Sequence, residues 1–339
     1  MSAKTSLTDR LGRRTWSGLL ASVVLVMIGG AASKSLAQTA LLVTEYGTGN
    51  LRAFSFSGPT GVPLSVPGSW TPIAGSSEGA DGMVTDPSGR LLINRADGVI
   101  HRRSLDGTTF DVFTTVTVSQ PLLDVTRTAT HLFAAEYGSS TLHQISLGTG
   151  SDSALAGPAG LGRADGVRIG PDGRLYVVDS SDGQIFAYDL ASSTWSPFLA
   201  STPTSGIASQ MEFGPDGRVF VSRTIGSEAR VYSFTLNSPG VYSSGLNPSS
   251  ETLIGGMGPG TATGIRIGPD GRLYANLFDS AGAVWRSNVG ITALESGPYI
   301  TGLSYPGSIY FAPVPEPVGG GLLALLLGGW SVWRRRRAA

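Results

Sequence analysis

Apolar residues in the middle of this chain occur in short segments that are separated by stretches rich in glycine, proline and aspartate. One such segment is Gly166–Ile169, and the next, Leu175–Val178, follows after a short polar stretch. Segments this short, bounded on both sides by turn-forming residues, predict β-strands and not helices. Long continuous apolar runs occur only near the two ends of the chain, at Leu19–Ile28 and Val318–Trp333. The pattern therefore divides the chain into an all-β middle and two apolar ends.

A repeated sequence marks the position of many of these turns. Its form is Gly-Pro-Asp-Gly-Arg followed by two apolar residues, with copies at 170–176, 214–220 and 268–274 and altered copies at 86–92 and 127–133. Proline presets φ at the second turn position, and glycine accepts the positive φ that a tight turn needs. Each copy therefore predicts a tight reversal between two antiparallel strands. A second reversal, such as Asp182-Gly183, follows, so each unit contains three strands and then a looser fourth segment.

The spacing of the repeat predicts a closed fold. Successive turns are 41, 43, 44 and 54 residues apart, at Pro87, Thr128, Pro171, Pro215 and Pro269. Four-stranded antiparallel units repeated at roughly 40–50 residues are typical of a β-propeller. Five units carry a visible turn, and residues 38–313 have room for a sixth. We therefore predict an all-β fold, a six-bladed β-propeller of four-stranded antiparallel blades.

The sixth unit is predicted to combine both ends of the domain. Leu41–Glu45 and Leu51–Ser57 match second and third strands, but the mature start leaves no room for a first strand before them. We expect Tyr299–Ala312 to supply that strand, so that the first blade is closed by the C-terminal strand. Such closure removes exposed edge strands, which otherwise pair with other chains.

The repeat resembles that of the NHL-repeat and regucalcin/gluconolactonase-like six-bladed propellers. The matching residues are Asp165–Asp179, DGVRIGPDGRLYVVD, and Ala80–Asn94, ADGMVTDPSGRLLIN. The resemblance implies the propeller fold. It does not fix an activity, because propellers serve binding and catalysis alike.

Residues 1–37 have the composition of a secretory signal peptide. The basic residues Lys4, Arg10, Arg13 and Arg14 precede the apolar run Leu19–Ile28. Small residues follow, and Ser35-Leu36-Ala37 fits a small-x-small cleavage site after Ala37. This order predicts an N-terminal signal helix that directs export.

Residues 314–339 are predicted to form a sorting tail. It consists of a rigid Pro315-Glu316-Pro317 motif, an apolar stretch over Val318–Trp333 and the basic cluster Arg334–Arg337. The apolar stretch, with arginines at its end, predicts a transmembrane helix.

The order of these three parts resembles the PEP-CTERM signal of Gram-negative bacteria that export proteins into an exopolysaccharide-rich surface layer. The resemblance implies that an exosortase-like sorting enzyme recognises the tail and cuts it near Pro315-Glu316-Pro317. The expected location is therefore across the inner membrane, with transient anchoring there through residues 318–333, and then the cell surface or extracellular matrix.

The charge of the predicted propeller disfavours one class of partner. Five basic residues lie in the leader and four in the tail, so residues 38–313 hold 24 − 9 = 15. Asp9 and Glu316 lie outside, which leaves 24 − 2 = 22 acidic residues and a net charge of 15 − 22 = −7. Nucleic-acid surfaces need clustered Lys and Arg, so no nucleic-acid partner is expected. The absence of cysteine removes disulfides and thiolate zinc sites.

Two aspartates are the candidate site residues. Alignment of the units on their turns places six residues at equivalent positions before the innermost strands: Asp81, Leu122, Asp165, Ser209, Thr263 and approximately Thr301. Two carboxylates among hydroxyls could hold a hard divalent ion. The resemblance to the lactonases implies Ca²⁺ or Zn²⁺ at Asp81 and Asp165, with Asp165 as the candidate catalytic base. The metal-binding glutamate and asparagine of those enzymes have no evident counterpart, and the alternative is that both aspartates cap the following backbone.

The location and the fold together favour a binding or scaffold module in the cell envelope or exopolysaccharide matrix. Its partner would be polysaccharide or another surface protein, and a purely architectural role in a biofilm is a related possibility. The alternative function is a divalent-metal-dependent lactonase or hydrolase of the regucalcin–gluconolactonase type, so whether the chain is an enzyme stays open at this point. The three histidines, His101, His131 and His143, lack metal-like spacing and are expected to be half-exposed strand residues.

Overall fold

The computed structural model describes residues 38–56, 58–64, 79–200 and 206–314. These residues form 23 β-strands and two short 3₁₀ helices, η1 (Tyr242–Ser244) and η2 (Pro248–Ser250). The predicted signal helix with its cleavage site at Ala37, the Pro315-Glu316-Pro317 motif and the transmembrane helix over 318–333 lie outside the described residues. Within the described ranges, no helix is long and apolar enough to cross a membrane.

The strands form six antiparallel sheets, each of which is one blade of a propeller. Blade 1 contains β1 (Gln38–Glu45), β2 (Asn50–Phe54) and β23 (Pro306–Val314). Blade 2 contains β3 (Ala80–Thr85), β4 (Leu91–Arg95), β5 (Val99–Arg103) and β6 (Phe110–Thr115). Blade 3 contains β7 (Leu122–Arg127), β8 (His131–Glu136), β9 (Thr141–Ser146) and β10 (Asp152–Ala156).

The other three blades follow the same order along the chain. Blade 4 contains β11 (Ala164–Ile169), β12 (Leu175–Asp179), β13 (Ile185–Asp189) and β14 (Thr194–Leu199). Blade 5 contains β15 (Ile207–Phe213), β16 (Val219–Ile225), β17 (Glu228–Phe234) and β18 (Thr252–Pro259). Blade 6 contains β19 (Thr261–Ile267), β20 (Leu273–Phe278), β21 (Gly282–Arg286) and β22 (Ile300–Leu303). The prediction of an all-β, six-bladed propeller is confirmed.

Blade 1 is closed by the C-terminal strand, as predicted. β23 pairs antiparallel with β1, with Val43 opposite Ile309. Residues 62–64 add a short outer edge to the blade, because Leu64 N donates a hydrogen bond to Ala53 O at 2.9 Å. Both ends of the domain therefore lie in one sheet.

The extent of the predicted closing strand, Tyr299–Ala312, is wrong. Its first part, Ile300–Leu303, is the outermost strand of blade 6, and the closing strand begins only at Pro306. The chain reverses between the two strands, where Gly302 and Tyr305 both have positive φ, at 73° and 48°. The prediction joins the fourth strand of blade 6 and the first strand of blade 1 into one segment, because the reversal between them lacks the Pro-Asp-Gly sequence.

The innermost strands, β23, β3, β7, β11, β15 and β19, surround the propeller axis. Each contacts the next in this circular order, and β19 contacts β23, which closes the ring. Six clusters of buried apolar side chains lie one at each junction between neighbouring blades. At the junction of blades 4 and 5, for example, the Tyr176 ring packs edge-to-face against Phe198 and Phe213 at centroid distances of 4.6 and 4.9 Å. The hydrophobic core is therefore divided into six parts, one between each pair of neighbouring blades.

The propeller has two different ends. At the upper end, defined by the starts of the innermost strands, lie residues 80, 122, 164, 207, 261 and 306. At the lower end lie the tight turns that join the first and second strands of blades 2–6. In the turn of blade 4, Gly173 N donates to Gly170 O at 3.0 Å, and Gly173 has the positive φ of 79° that the repeat predicts. The aspartates of the repeat are thus turn formers, as expected.

Candidate binding site at the upper end of the axis

Every innermost strand begins with a β-bulge in the same place. In blade 2, Ala80 lies opposite Arg95 and Met83 opposite Ile93, so two residues of β3 face a single residue of β4. The other five blades have the same irregularity. The bulge pairs are residues 307–308, 81–82, 123–124, 165–166, 209–210 and 263–264. A bulge takes side chains out of the regular ladder and re-aims them, and all six bulges here lie beside the axis.

The residue of the second strand that faces each bulge connects one blade to the next. In four blades this residue is polar and donates a hydrogen bond to a main-chain carbonyl at or beside the next bulge. The bonds are Thr44 Oγ1 to Asp81 O at 2.7 Å, Asn94 Nδ2 to Leu122 O at 2.6 Å, Ser222 Oγ to Thr263 O at 2.7 Å and Asn276 Nδ2 to Gly307 O at 3.1 Å. These bonds satisfy carbonyls that the bulges remove from the ladder.

In blades 3 and 4 the equivalent residues, Ala135 and Val178, are apolar, and an aspartate of the innermost strand takes part instead. Asp124 Oδ2 accepts a hydrogen bond from Val167 N, in blade 4, at 3.0 Å. Asp165 interacts with the hydroxyl of Ser209 in blade 5. Asp124 and Asp165 therefore also connect neighbouring blades, Asp124 through a backbone N–H and Asp165 through a hydroxyl group.

Three aspartates from three successive blades lie together at this level of the axis. Asp81 and Asp165 are 8% and 7% exposed, and Asp124 is fully buried. Asp81 faces the bulge of blade 1 across the junction, where a Cβ added to Gly307 would lie 2.6 Å from Asp81 Oδ1. We refer to Asp81, Asp124 and Asp165 as the axial aspartates.

Burial raises the pKa of all three axial aspartates, and repulsion from neighbouring carboxylates adds to the shift at Asp81 and Asp165. Burial raises the pKa of Asp81 well above its ordinary value, and the charges of Asp165 and then Asp124 raise it further. Burial likewise raises the pKa of Asp165, with Asp124 adding to the effect and the Ser209 hydroxyl opposing it. Burial raises the pKa of Asp124 to about 6, although Arg168 and the N–H groups of Val167 and Val125 lower it. Asp81 and Asp165 occupy equivalent bulge positions on innermost strands, so both lie beside the axis.

A second group of charged residues lies further along the innermost strands of blades 4, 5 and 6. Arg168, Glu212 and Arg266 occupy equivalent positions, and Glu212 Oε2 lies 3.9 Å from Arg168 Nε and 3.6 Å from Arg266 Nη1. Burial raises the pKa of Glu212, and Arg168 opposes that shift. Two guanidinium groups flank this carboxylate, whereas among the described residues a guanidinium group, that of Arg168, acts on Asp124 but not on Asp81 or Asp165. The acidic side chains near the axis therefore outnumber the basic ones on the side of blades 2–4.

Several oxygen atoms at the level of the bulges are buried without a hydrogen-bond partner among the described residues: Asn94 Oδ1, Asp124 Oδ1, Asn276 Oδ1 and Ser308 Oγ. Most buried polar atoms in proteins have a partner, so such atoms call for a donor from a water, a ligand or a protonated carboxyl group. Carboxyl groups that hold a proton can both donate and accept hydrogen bonds. The upper end of the axis is thus rich in acceptors and suited to groups that carry hydroxyl or amine hydrogens.

The described residues do not complete the metal centre that the lactonase resemblance implies. In the part of the chain that the structure describes, no group of three His, Asp or Glu side chains is placed to hold one metal ion. Two of the axial aspartates also use an oxygen to contact the next blade. The geometry provides a cluster of proton-binding carboxyl groups more readily than a set of metal ligands.

The structure places Asp81 and Asp165 at equivalent bulge positions of β3 and β11, but it corrects two other members of that alignment. Leu122 is equivalent to Ala80, not to Asp81, because the turn of blade 3 is one residue shorter: Thr85 pairs with Leu91, whereas Arg127 pairs with Leu132. In blade 1 the equivalent of Asp81 is Gly307 and not Thr301, which lies in β22.

Asp124 is the axial residue that sequence alignment missed. It occupies the second position of its bulge, next to Leu123, the true equivalent of Asp81. A search for any acidic residue within two positions of the aligned sites would have found it, because Asp124 is the only acidic residue of β7.

The expectation for the histidines is wrong for two of the three. His101 is 5% exposed, and its ring stacks on Phe110 at a centroid distance of 4.8 Å. His143 is 3% exposed, and it lies between Asp152 Oδ2, 2.9 Å from Nδ1, and Glu136 Oε2, 3.4 Å from Nε2. Both side chains are buried because the outer strands of blades 2 and 3 cover them, which alternation along a single strand cannot reveal.

Comparisons with known proteins identify the fold. No family model matches the chain, and no curated protein matches it. Among solved structures, a chain of a nidogen–laminin complex superposes with a TM-score of 0.62 at 13% identity, covering 83% of this chain and 100% of that one.

Two further solved structures are also similar to this chain. A protein assigned as a gluconolactonase gives a TM-score of 0.54 at 17% identity, with coverage of 70% of this chain and 86% of its own. The virginiamycin B lyase of Staphylococcus aureus gives 0.51 at 14% identity, with coverage of 81% and 88%. At such identities the likeness concerns the fold alone, and the chain has the β-propeller fold that these proteins share.

Proposed function

We propose that this chain is an exported, surface-directed binding module whose ligand site is the upper end of the propeller axis. The observation that carries the proposal is the placement of three buried carboxyl groups, from three blades, around one axis. Burial of carboxyl groups costs free energy, and groups with raised pKa values concentrate at functional sites. A ligand with hydroxyl or amine groups would supply the hydrogen-bond donors that the acceptors at this end lack.

The alternative function is a divalent-metal-dependent lactonase, and what favours it is the closeness of Asp81 and Asp165. Binding is the better proposal for two reasons. Among the described residues, no group of three His, Asp or Glu side chains is placed to hold one metal ion, and Asp124 and Asp165 each use an oxygen to contact the next blade. In addition, burial raises the pKa of both carboxyl groups, so a metal would have to compete with a proton over a wider pH range than at exposed aspartates.

Export is proposed from the two ends of the chain. The leader over residues 1–37 and the tail over 314–339 each have the layout of a sorting signal, and both place their basic residues where the cytoplasm is expected. The partners would be an exosortase-like enzyme at the tail, the membrane through residues 318–333, and then a polysaccharide or surface protein at the propeller.

The export proposal is tested by fractionation of cells that contain an exosortase-type sorting enzyme. The full chain should appear at the cell surface or in the medium. A variant with Pro315→Ala, Glu316→Ala and Pro317→Ala should instead accumulate in the inner membrane, because the sorting enzyme no longer recognises the tail. Retention of the unaltered chain in the cytoplasm would overturn the proposal.

The lactonase alternative is tested with the purified full chain and δ-gluconolactone. We expect the rate of hydrolysis to stay at that of buffer alone, with or without added Ca²⁺ or Zn²⁺. A metal-dependent rate that Asp165→Asn abolishes, while the thermal unfolding midpoint is unchanged, would establish the enzyme in place of the binding module.

A further inference from the structure

Three aromatic rings pack against one another at the upper end, in edge-to-face and tilted arrangements. The Phe278 ring lies between the other two, with a centroid distance of 5.1 Å to Tyr305 and 5.8 Å to Tyr46. Each ring comes from a different connection: Tyr46 follows β1, Phe278 ends β20, and Tyr305 precedes β23. We refer to Tyr46, Phe278 and Tyr305 as the aromatic platform.

Tyr305 is the exposed member of the platform, and its backbone conformation is unusual. It is 39% exposed, and its φ of 48° lies in the left-handed region that glycine favours. A bulky residue with this φ is an outlier, and it persists only where the surroundings hold it in place.

Backbone hydrogen bonds on both sides of Tyr305 fix that conformation. Tyr305 N donates to Asp279 O at 2.8 Å, and Tyr305 O accepts from Tyr46 N at 2.9 Å. One residue earlier, Ser304 N donates to Glu45 Oε1 at 3.0 Å. Glycine would satisfy the same turn without strain, so the turn itself does not explain why an aromatic ring is presented here.

The platform also has polar groups close to its exposed ring. The backbone bond to Asp279 places that residue beside Tyr305, and Ser280 follows it on the surface. Hydrogen bonds from Ala281 N and the Ser280 hydroxyl lower the pKa of Asp279, so its carboxylate is ionised at neutral pH and accepts hydrogen bonds. Two residues beyond Tyr305, Gly307 lies beside Asp81, because a Cβ added to Gly307 would be 2.6 Å from Asp81 Oδ1. Two residues of extended chain span about 7 Å, so the platform lies close to Asp81 at the upper end.

The chemistry of this surface indicates the ligand. A flat aromatic ring with an apolar face, bordered by carboxylate and hydroxyl groups, matches a sugar ring, which has an apolar C–H face and hydroxyl groups on its edge. The net charge of −7 over residues 38–313 repels acidic polymers. Building on the proposed binding function, we propose that the aromatic platform stacks on an uncharged hexose residue of a polysaccharide, with Tyr305 as the ring in contact.

The experiment measures binding of the full chain, purified in detergent, to neutral and acidic polysaccharides by affinity electrophoresis. The neutral probes are dextran, a β-glucan, a mannan and a galactan, and the acidic probe is alginate. We expect at least one neutral polymer to retard the protein and alginate not to. Tyr305→Asn should weaken that binding at least tenfold, because asparagine tolerates positive φ but lacks the ring. Tyr305→Phe should retain it.

The matched control is Phe110→Ala, which removes an aromatic side chain of 45% exposure from β6, away from the platform. It should leave binding unchanged. Binding by the unaltered chain that Tyr305→Asn does not weaken would overturn the platform as the site and leave the binding module in place. Failure of all four neutral polymers to bind would overturn the sugar ligand, whereas the proposed export is judged separately by fractionation.

Discussion

At the lower end of the innermost strands the blades repeat one turn, whereas at the upper end the equivalent positions hold a different residue in almost every blade. In the lower turns, Asp172, Asp216 and Asp270 occupy the same place, and each pairs with the arginine two residues later. At the upper end the first bulge residue is Gly307, Asp81, Leu123, Asp165, Ser209 or Thr263. Few residue types adopt the φ values of a tight turn, so the residues of the turn repeat from blade to blade. The bulge constrains the backbone alone and leaves its side chains available for a ligand.

In alternate blades, the upper end nevertheless constrains one position, the second residue of the bulge. Gly82, Gly166 and Gly264 occupy it in blades 2, 4 and 6, and there the innermost strands of neighbouring blades approach most closely. A Cβ added to Gly82 would lie 2.6 Å from Val125 N and 2.9 Å from Asp124 Cα. Backbone atoms of the next blade cannot move aside without opening the ring.

The largest expected effect is therefore that of Gly82→Val. The added side chain must separate blades 2 and 3, so we expect a loss of about 3 kcal/mol or more in the free energy of unfolding. Chemical denaturation followed by circular dichroism measures it. The control is Gly297→Val, at a position where a Cβ would meet nothing within 4 Å and φ is not positive; its loss should be small. Equal effects of the two substitutions would show that the close approach of the strands does not limit stability.

At alkaline pH, Asp124→Asn is expected to raise the free energy of unfolding, by less than Gly82→Val lowers it. Asp124 has a folded-state pKa of about 6, above its ordinary value of 3.8. The folded state therefore binds a proton more strongly than the unfolded state does. The resulting stability is fully present below about pH 4 and is lost as the pH rises through 6.

Asparagine cannot lose that proton and still accepts the hydrogen bond from Val167 N. Asp124→Asn should therefore unfold at higher denaturant concentration than the unaltered chain at pH 8, by on the order of 1–3 kcal/mol, and the difference should disappear near pH 4. Asp279→Asn is the control. Hydrogen bonds lower the pKa of Asp279, so the ionised side chain stabilises the fold at neutral pH and that stabilisation is lost as the pH falls. Its substitution should therefore not stabilise the chain at pH 8. Parallel pH profiles for Asp124→Asn and the unaltered chain would contradict the raised pKa.

The turn sequences were enough to predict the propeller, the number of its blades and the closure of blade 1. Pro-Asp-Gly dictates a tight reversal locally, and Val43 does lie opposite Ile309 as closure requires. The location of β22 could not be predicted, because the reversal before Pro306 depends on Tyr305, a residue type that does not normally mark a turn. Its positive φ results from tertiary hydrogen bonds to Asp279 and Tyr46.

The candidate site could be predicted in part. Asp81 and Asp165 follow from the repeat, because the turns of blades 2 and 4 have equal length. Asp124 does not, because the turn of blade 3 is one residue shorter and shifts the alignment. The raised pKa values depend on burial and on repulsion between blades, which no single repeat contains. The aromatic platform likewise combines residues from three distant connections.

The smallest expected effect lies at the lower end and compares two nearly identical turns. Asp172 accepts hydrogen bonds from Arg174 Nε at 2.6 Å and from the buried Tyr176 hydroxyl at 2.8 Å. In blade 5, Asp216 accepts from Arg218 Nε at 2.7 Å, but Phe220 replaces the tyrosine and offers no hydroxyl.

Exposed ion pairs contribute little, so the difference between the turns should isolate the hydroxyl bond. Asp172→Ala should therefore cost about 1 kcal/mol more than Asp216→Ala in urea denaturation, and the two should become equal when Asp172→Ala is measured in a Tyr176→Phe background. Arg218 also donates hydrogen bonds to Ile291 O and Gly290 O in blade 6, at 2.9 Å each. If Asp216→Ala loses more stability than Asp172→Ala, these two bonds depend on Asp216, and the turn of blade 5 also holds blade 6 in place.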